Sequence, residues 1–216
     1  MVDAFLLEGI AESLYREAGE DPSEPVSPVR IARALINADV VKAVPRHALR
    51  QSWAALTPID GRWHIVVRRD VPDAELGHTI AHELAHWALR RANIPDNEPS
   101  CDYLGAALVA PARAFRRAIK HLGADLPALA DTFRTTESCV ALRWGESTDT
   151  AVALVRPGLI RVRGQLEFVW PDEQTIVRWA KGRPPRGLAK TRLTDDRRRV
   201  LLFGDALGNP ADSDVG

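Results

Sequence analysis

The sequence predicts an α+β fold that is mainly helical over its first two thirds and β-rich towards its end. Apolar residues recur at helical spacing up to about residue 146, interrupted by a hairpin pattern over 52–67. Beyond Glu146 the apolar residues alternate with a period of two, which is typical of strands. The 216 residues, 45% hydrophobic and 27% charged, suffice for one cored domain or for a small domain with an appendage.

The predicted elements follow one another in a simple order. Two helices, over 6–14 and 29–35, precede strands over 52–56 and 63–67, which form a hairpin because Pro58 and Asp60-Gly61 supply turn residues. The second of these strands is expected at the edge of its sheet. A long helix over 74–92, capped by Asp73, is followed by a helix from about 98 that Pro111 kinks or restarts. The remaining predicted elements are short helices over 126–133 and 137–144, and strands over 151–155, 159–162, 166–170 and 200–203.

This order of elements divides the chain into four predicted regions. A main domain is expected over 1–123, and a two-helix segment resembling a helix-turn-helix over 124–146. A small β-rich region follows over 147–203. Residues 204–216 are small and polar, and they are expected to form a frayed tail.

Charge and cysteine content exclude several classes of protein. Residues 178–199 hold nine bases against two acids, but Trp179 is their single aromatic residue and aromatic interleaving is lacking, so a solvated, flexible stretch is favoured over a nucleic-acid site. Two cysteines are too few for a disulfide scaffold or a cysteine-rich zinc module, so any metal needs other ligands. No apolar run reaches membrane length and the first residues are acidic, so a cytoplasmic protein without membrane contact is expected.

The predicted long helix carries a His-Glu-x-x-His sequence. His82 and His86 lie four residues apart, about one helical turn, so both imidazoles can reach one metal ion. Glu83 points about 100° around the helix from His82, which places it beside a metal-bound water and not on the metal. The pattern is typical of a hydrolytic metal site with Glu83 as the general base.

A third ligand is predicted on the following helix. Glu98 comes twelve residues after His86, and Asp102 follows Glu98 by about one helical turn. If this helix packs across the first, Glu98 can bind the ion while Asp102 accepts the remaining N–H of a liganding histidine. Two imidazoles and one carboxylate leave an open tetrahedral position, which favours one zinc ion per chain over iron or copper.

Longer stretches around these residues match a known family pattern. They are the strand at 63–67, His78-Thr-Ile-Ala-His-Glu-Leu-Ala-His-Trp87, Glu98-x-x-Cys-Asp-x-Leu-Gly-Ala-Ala-Leu-Val-Ala-Pro111, Leu129-Ala-Asp-Thr-Phe133 and Cys139-Val-Ala-Leu-Arg-Trp144. In this register the sequence resembles the ImmA/IrrE family of bacterial metallopeptidases. The resemblance implies a zincin-like core and a cytoplasmic zinc endopeptidase that cleaves helix-turn-helix repressors in stress or mobile-element control.

Four positions depart from the family pattern. His78 replaces an aromatic residue, Cys101 an alanine, Asp102 a common asparagine, and Thr135 an apolar turn residue. None of the four is a predicted metal ligand or the predicted base. The polar Thr135 argues against DNA contact by the two short helices, which are expected to serve as scaffold or substrate-docking element.

Metal-assisted hydrolysis of a peptide bond in a protein substrate is the reaction that these residues predict. Glu83 would take a proton from water and transfer it to the leaving amine. A second oxyanion donor is needed, and Tyr103, His64 and His78 are all candidates. The alternative is a non-catalytic regulatory module that keeps the metal for folding and binds a repressor, or binds DNA through 178–199. The sequence makes no prediction of oligomeric state.

Overall fold

The computed structural model describes residues 2–36, 41–49, 52–148, 150–156, 159–163, 172–182, 189–193 and 200–205. These residues form eight α-helices and seven strands, so the predicted α+β class is confirmed. The chain divides into two compact units, Met1–Thr136 and Glu137–Gly216. The boundary lies inside the predicted two-helix segment 124–146, and the four-region division stays a prediction. Within the described ranges, no helix has the length and apolar character needed to cross a membrane.

The first unit contains six helices and a small sheet. Its elements are α1 (Ala4–Glu17), α2 (Pro28–Leu35), β1 (Val41–Val44), a 3-10 turn (Arg46–Leu49), β2 (Ala54–Ile59), β3 (Arg62–Arg68), α3 (Asp73–Arg91), α4 (Glu98–Val109), α5 (Ala112–Leu122) and α6 (Leu126–Phe133). The predicted helices and hairpin are therefore present, and Pro111 separates α4 from α5 because a proline cannot continue the helix. Asp73 is not the cap but the first residue of α3, which follows Pro72.

The prediction that 63–67 is an edge strand is wrong. The strand order is β1-β3-β2, so β3 is the central strand, parallel to β1 and antiparallel to β2. The second edge of β3 is covered by β1, which was not predicted from the sequence. The exposed edge beside α3 belongs instead to β2, which joins β3 through a two-residue turn at Asp60 and Gly61. Both turn residues have positive φ, at 50° and 73°, as a tight hairpin turn requires.

The core of the first unit lies around α3 and α4. One face of α3 is completely buried, at Ile80, Ala81, Leu84, Ala85 and Leu89. Most of α4 after its first turn is buried as well. Burial of these apolar side chains stabilises the pairing of the two helices by roughly 1.5–3 kcal/mol for each large residue.

The second unit combines two helices with an antiparallel sheet. Its elements are α7 (Glu137–Ser147), β4 (Thr150–Arg156), β5 (Leu159–Arg163), α8 (Glu173–Lys181), β6 (Ala189–Arg192) and β7 (Val200–Asp205), and the strand order is β5-β4-β7-β6. Ile176 and Ala180 of α8 pack in one apolar cluster with Ala153 and Val155 of β4. The predicted β-rich character of this region agrees with the four strands.

The basic segment 178–199 is not the continuous flexible stretch that the sequence analysis expects. Its first residues complete α8, whose start is capped by Asp172 through the Thr175 N–H, and β6 lies within it. Basic residues in the last turn of a helix are favoured by the helix dipole, which accounts for Arg178 and Lys181. The predicted strand 166–170 and residues 206–216 of the predicted tail lie outside the described residues.

Candidate metal centre

His82 and His86 lie one turn apart on α3, as the sequence predicts. Their ring centroids are 5.0 Å apart and both side chains are largely buried, with 18% and 14% of their surface exposed. The helix holds them because its opposite face is apolar and buried. After the end of the helix, Asn93 has a left-handed conformation, at φ 56°, and the Ile94 N–H donates to the Leu89 carbonyl.

Glu98 comes to the histidines from the first turn of α4. Asn97 fixes the start of this helix, since its side-chain oxygen accepts the Ser100 N–H at 3.1 Å. One oxygen of Glu98 is 3.2 Å from Nε2 of His82, and the other is 3.7 Å from Nε2 of His86. One ligand atom from each of the three residues lies within 4.8 Å of the other two. The structure thus brings together the three predicted ligands.

The outer nitrogen of each imidazole faces a carboxylate. Asp102, predicted for this role, has Oδ1 at 3.2 Å from Nδ1 of His82. Asp96, for which the sequence predicts no role, has Oδ2 at 3.2 Å from Nδ1 of His86. A carboxylate on Nδ1 keeps the proton there, so that Nε2 is free to bind a metal. The spacing gave no helical signal for Asp96, because it lies in the loop between α3 and α4.

Two further groups surround His86. The Arg90 guanidinium, and after it the His86 ring, holds the pKa of the Asp96 carboxyl below its ordinary value. The Cys101 sulfur is 3.3 Å from Nδ1 of His86. Burial raises the pKa of this thiol to about 12, and the surrounding carboxylates act in the same direction. Cys101 is therefore a buried thiol that stays protonated at neutral pH.

A close approach of the two helices sets these distances. Gly105 of α4 faces His82, and a Cβ atom added to this glycine would lie 3.1 Å from both the Cα and the backbone nitrogen of His82. Glu98, Cys101, Asp102 and Gly105 are spaced by three or four residues, so they share one face of α4. This face of α4 can pack closely against the histidine face of α3 because Gly105 has no side chain.

The predicted base Glu83 is held by the neighbouring strand. Its Oε2 accepts the backbone N–H of Leu56 in β2 at 2.7 Å. Leu56 faces Ile65 across the hairpin, and counting from the closing pair Ile59 and Arg62 makes this a pair without mutual hydrogen bonds. The Leu56 N–H therefore points away from β3, towards α3. A backbone donor of this kind leaves no signal in the sequence.

The three candidate oxyanion donors differ in their partners. The Tyr103 hydroxyl donates to Oε1 of Glu8 in α1 at 2.9 Å. Nδ1 of His64 lies 3.1 Å from the carbonyl oxygen of Arg62, on the sheet. His78 lies one turn before His82 on α3 and is half-buried. The choice among the three stays open.

The donor set fits a zinc ion. Two neutral imidazoles and a carboxylate match the ligands of hydrolytic zinc sites, and Asp96 and Asp102 supply the outer partners that such ligands require. Glu98 is 75% exposed, so the arrangement opens towards solvent on the Glu98 side. A site of this kind could bind a metal and keep a position open for a further ligand.

Both the sequence and the fold resemble known proteins. A solved structure titled "Mycobacterium tuberculosis transcriptional regulator" has a TM-score of 0.61 and 16% identity, covering 93% of this chain and 88% of that one. At this identity the likeness shows the fold alone. No curated protein matches the chain. Residues 42–144, which include every candidate ligand, match the family described as the IrrE N-terminal-like domain. This match identifies residues 42–144 as an IrrE N-terminal-like domain and supports a relationship to the ImmA/IrrE family of metallopeptidases.

Proposed function

We propose that the protein is a zinc-dependent endopeptidase that hydrolyses a peptide bond in a protein substrate. One observation carries the proposal: one ligand atom from each of His82, His86 and Glu98 lies within 4.8 Å of the other two, and Glu83 directly follows His82 on α3. The family match supports a metallopeptidase-like role. The proposal includes zinc as the resident metal and His82, His86 and Glu98 as its ligands.

Each residue of the site has a distinct part in this reaction. Zinc bound in such a site supplies Lewis-acid chemistry, which polarises a carbonyl and acidifies water. Glu83 accepts the proton of the attacking water on its carboxylate and delivers it to the leaving amine nitrogen. The Leu56 N–H orients that carboxylate, and the outer carboxylates Asp96 and Asp102 orient the two imidazoles.

The substrate is proposed to bind as an extended strand along β2. This strand is an edge of its sheet and lies against α3, next to Glu83. Main-chain hydrogen bonds to an exposed edge give affinity for an unfolded or extended segment of a protein. From the family resemblance, we propose a helix-turn-helix repressor as the protein that supplies this segment.

Co-expression tests the proposal. The chain is expressed with a helix-turn-helix repressor encoded beside its gene, and the repressor is followed by gel and mass spectrometry. A repressor fragment is expected with the wild type and is expected to disappear with Glu83→Gln, while zinc content stays the same. An uncut repressor with wild-type, zinc-loaded protein would contradict cleavage of this substrate.

A regulatory module without catalysis is the second candidate. The similar solved structure is named as a transcriptional regulator, and this name is the observation behind the second candidate. In that case the protein would bind the repressor or DNA, and Glu83→Gln would retain the full biological effect. Loss of the effect in Glu83→Gln, with repressor binding intact, distinguishes the endopeptidase from the module.

A further inference from the structure

We infer that Asp96, held by Arg90, is a positioning residue for His86. The inference rests on the proposed zinc site and adds residues to it that the family motif does not contain. Oδ2 of Asp96 lies 3.2 Å from Nδ1 of His86 and 2.7 Å from Nε of Arg90. One carboxylate oxygen thus joins a candidate ligand to a cation on the same helix.

The geometry explains how Arg90 acts through Asp96. A loop carboxylate has several rotamers, and a charge-assisted hydrogen bond from a guanidinium selects one of them. In that rotamer Asp96 accepts the Nδ1 proton of His86, which directs Nε2 towards Glu98. Without Asp96, the nearest remaining group is the Cys101 thiol, a much weaker acceptor.

Arg90 is itself held from its other side. Its guanidinium carbon lies 5.7 Å from the centroid of the Trp63 ring, which projects from β3 and is 36% exposed. A planar guanidinium can stack on an indole and bond a carboxylate at the same time, which an ammonium group does less well. A series of contacts therefore links the central strand to the metal site, running from Trp63 through Arg90 and Asp96 to His86.

The two imidazoles differ in what positions them. Asp102, the partner of His82, is on α4 itself, so its place follows from helix packing. Asp96 lies in the loop before α4, and no helix geometry fixes its side chain. The Arg90 contact therefore fixes the position of Asp96 beside His86, whereas helix packing fixes the position of Asp102 beside His82.

The neighbouring arginine is a matched control. Arg91 forms a comparable ion pair with Glu17 at 2.6 Å, and its guanidinium carbon lies 4.9 Å from the centroid of the Trp87 ring. It is on the same last turn of α3 but binds α1 in place of the loop. If losing an arginine at this helix end weakened zinc binding only through a general structural effect, Arg91→Gln should weaken it as much as Arg90→Gln.

The zinc affinity of the purified, folded full chain tests the inference. It is measured by competition with a chromophoric chelator. We expect Asp96→Ala to bind zinc about 10–100-fold more weakly than wild type. Asp96→Asn should recover most of the affinity because its amide oxygen can still accept the Nδ1 proton. Arg90→Gln should weaken binding in the wild type but add little in the Asp96→Ala background, and Arg91→Gln should leave it unchanged.

The same titrations separate failure of the inference from failure of the zinc site. Wild-type affinity in both Asp96→Ala and Arg90→Gln, or equal weakening by Arg91→Gln, overturns the positioning role while the site stands. A wild type that binds no zinc overturns the site and the inference together. Should Asp96→Ala fail to fold, the comparison of Arg90→Gln with Arg91→Gln still decides the matter.

Discussion

At the scale of single residues, the contribution of a buried polar or charged side chain to stability depends on whether it has a partner. The candidate metal ligands all have partners. Thr135, after the last turn of α6, is 95% buried, and among the residues that the structure describes its hydroxyl oxygen has no hydrogen-bond partner. A buried hydroxyl without a partner costs about 1–3 kcal/mol. This is the position where the family pattern has an apolar residue, so the departure has a physical cost.

Replacing Thr135 by valine is expected to stabilise the protein. The two side chains have the same shape, and the change removes the unsatisfied hydroxyl, so unfolding should require about 1 kcal/mol more free energy. Chemical denaturation measures the change. Thr132→Val is the control, because the exposed Thr132 hydroxyl donates to the Ala128 carbonyl at 2.8 Å and gains nothing by removal. A destabilised Thr135→Val would contradict the account.

The ion pair of Arg68 and Asp70 should make stability depend on pH. Arg68 is buried at the end of β3 and binds both oxygens of Asp70, at 2.9 and 2.5 Å, which lowers the pKa of that carboxyl. A lowered folded-state pKa gives stability above the unfolded pKa of about 4, and this stability is lost as pH falls through the folded value.

Thermal unfolding of Asp70→Asn and wild type at several pH values measures this effect. The wild type should have the higher Tm at pH 7, and the difference should shrink as the pH falls below about 4. A constant difference from pH 7 to the acid end would show that the Asp70 charge is not its cause.

At the scale of elements, the site depends on two helices that meet along one face each. The proximity of the candidate ligands and Asp102 could be predicted because these residues follow the helical period on α3 and α4. Asp96 and the Leu56 N–H could not, because one lies in a loop and the other is a main-chain group. Helical spacing thus predicts which side chains of α3 and α4 lie together. The positions of Asp96 and the Leu56 N–H depend instead on the path of a loop and a strand.

Gly105→Ala is expected to weaken the α3–α4 contact. The new Cβ would lie 3.1 Å from backbone atoms of His82, so the helices must separate by a few tenths of an ångström. We expect a loss of about 1–3 kcal/mol in stability, as for other overpacked sites, together with weaker zinc binding. Gly9→Ala in α1 is the control. Apart from its own helix backbone and its chain neighbours, no described atom would lie within 4 Å of the added Cβ, so the change should stabilise by about 0.5–1 kcal/mol. Stabilisation by both variants would refute the close-packing argument.

Leu56→Pro is expected to release Glu83 without breaking the hairpin. The Leu56 N–H points away from β3, and Pro58, two residues later in β2, already occupies a position of the same kind. A hydrogen bond to a charged group is worth about 1.5–3 kcal/mol, so kcat for repressor cleavage should fall about 10–100-fold with zinc retained. Leu56→Ala keeps the N–H and serves as the matched variant. Equal activity of the two variants would exclude an orienting role for the amide.

At the scale of the whole molecule, prediction succeeded where local periodicity carried the information. All candidate site residues lie in the first unit, and its helices and hairpin were predicted. The four-residue β1 was missed because its place depends on parallel pairing with β3, far along the chain. In the second unit α8 was missed because only Ile176 and Ala180 of its nine residues are buried, within a basic segment. The roles of this unit and of the basic residues stay predictions.

Zinc content of the purified protein tests the central claim, that side chains from α3 and α4 together hold one metal ion. Elemental analysis after dialysis should give about one zinc per chain for wild type and for Glu83→Gln, since Glu83 is not a ligand. His86→Ala and Glu98→Gln should lose the metal, with some loss of stability. Equal zinc in wild type and His86→Ala would contradict the account.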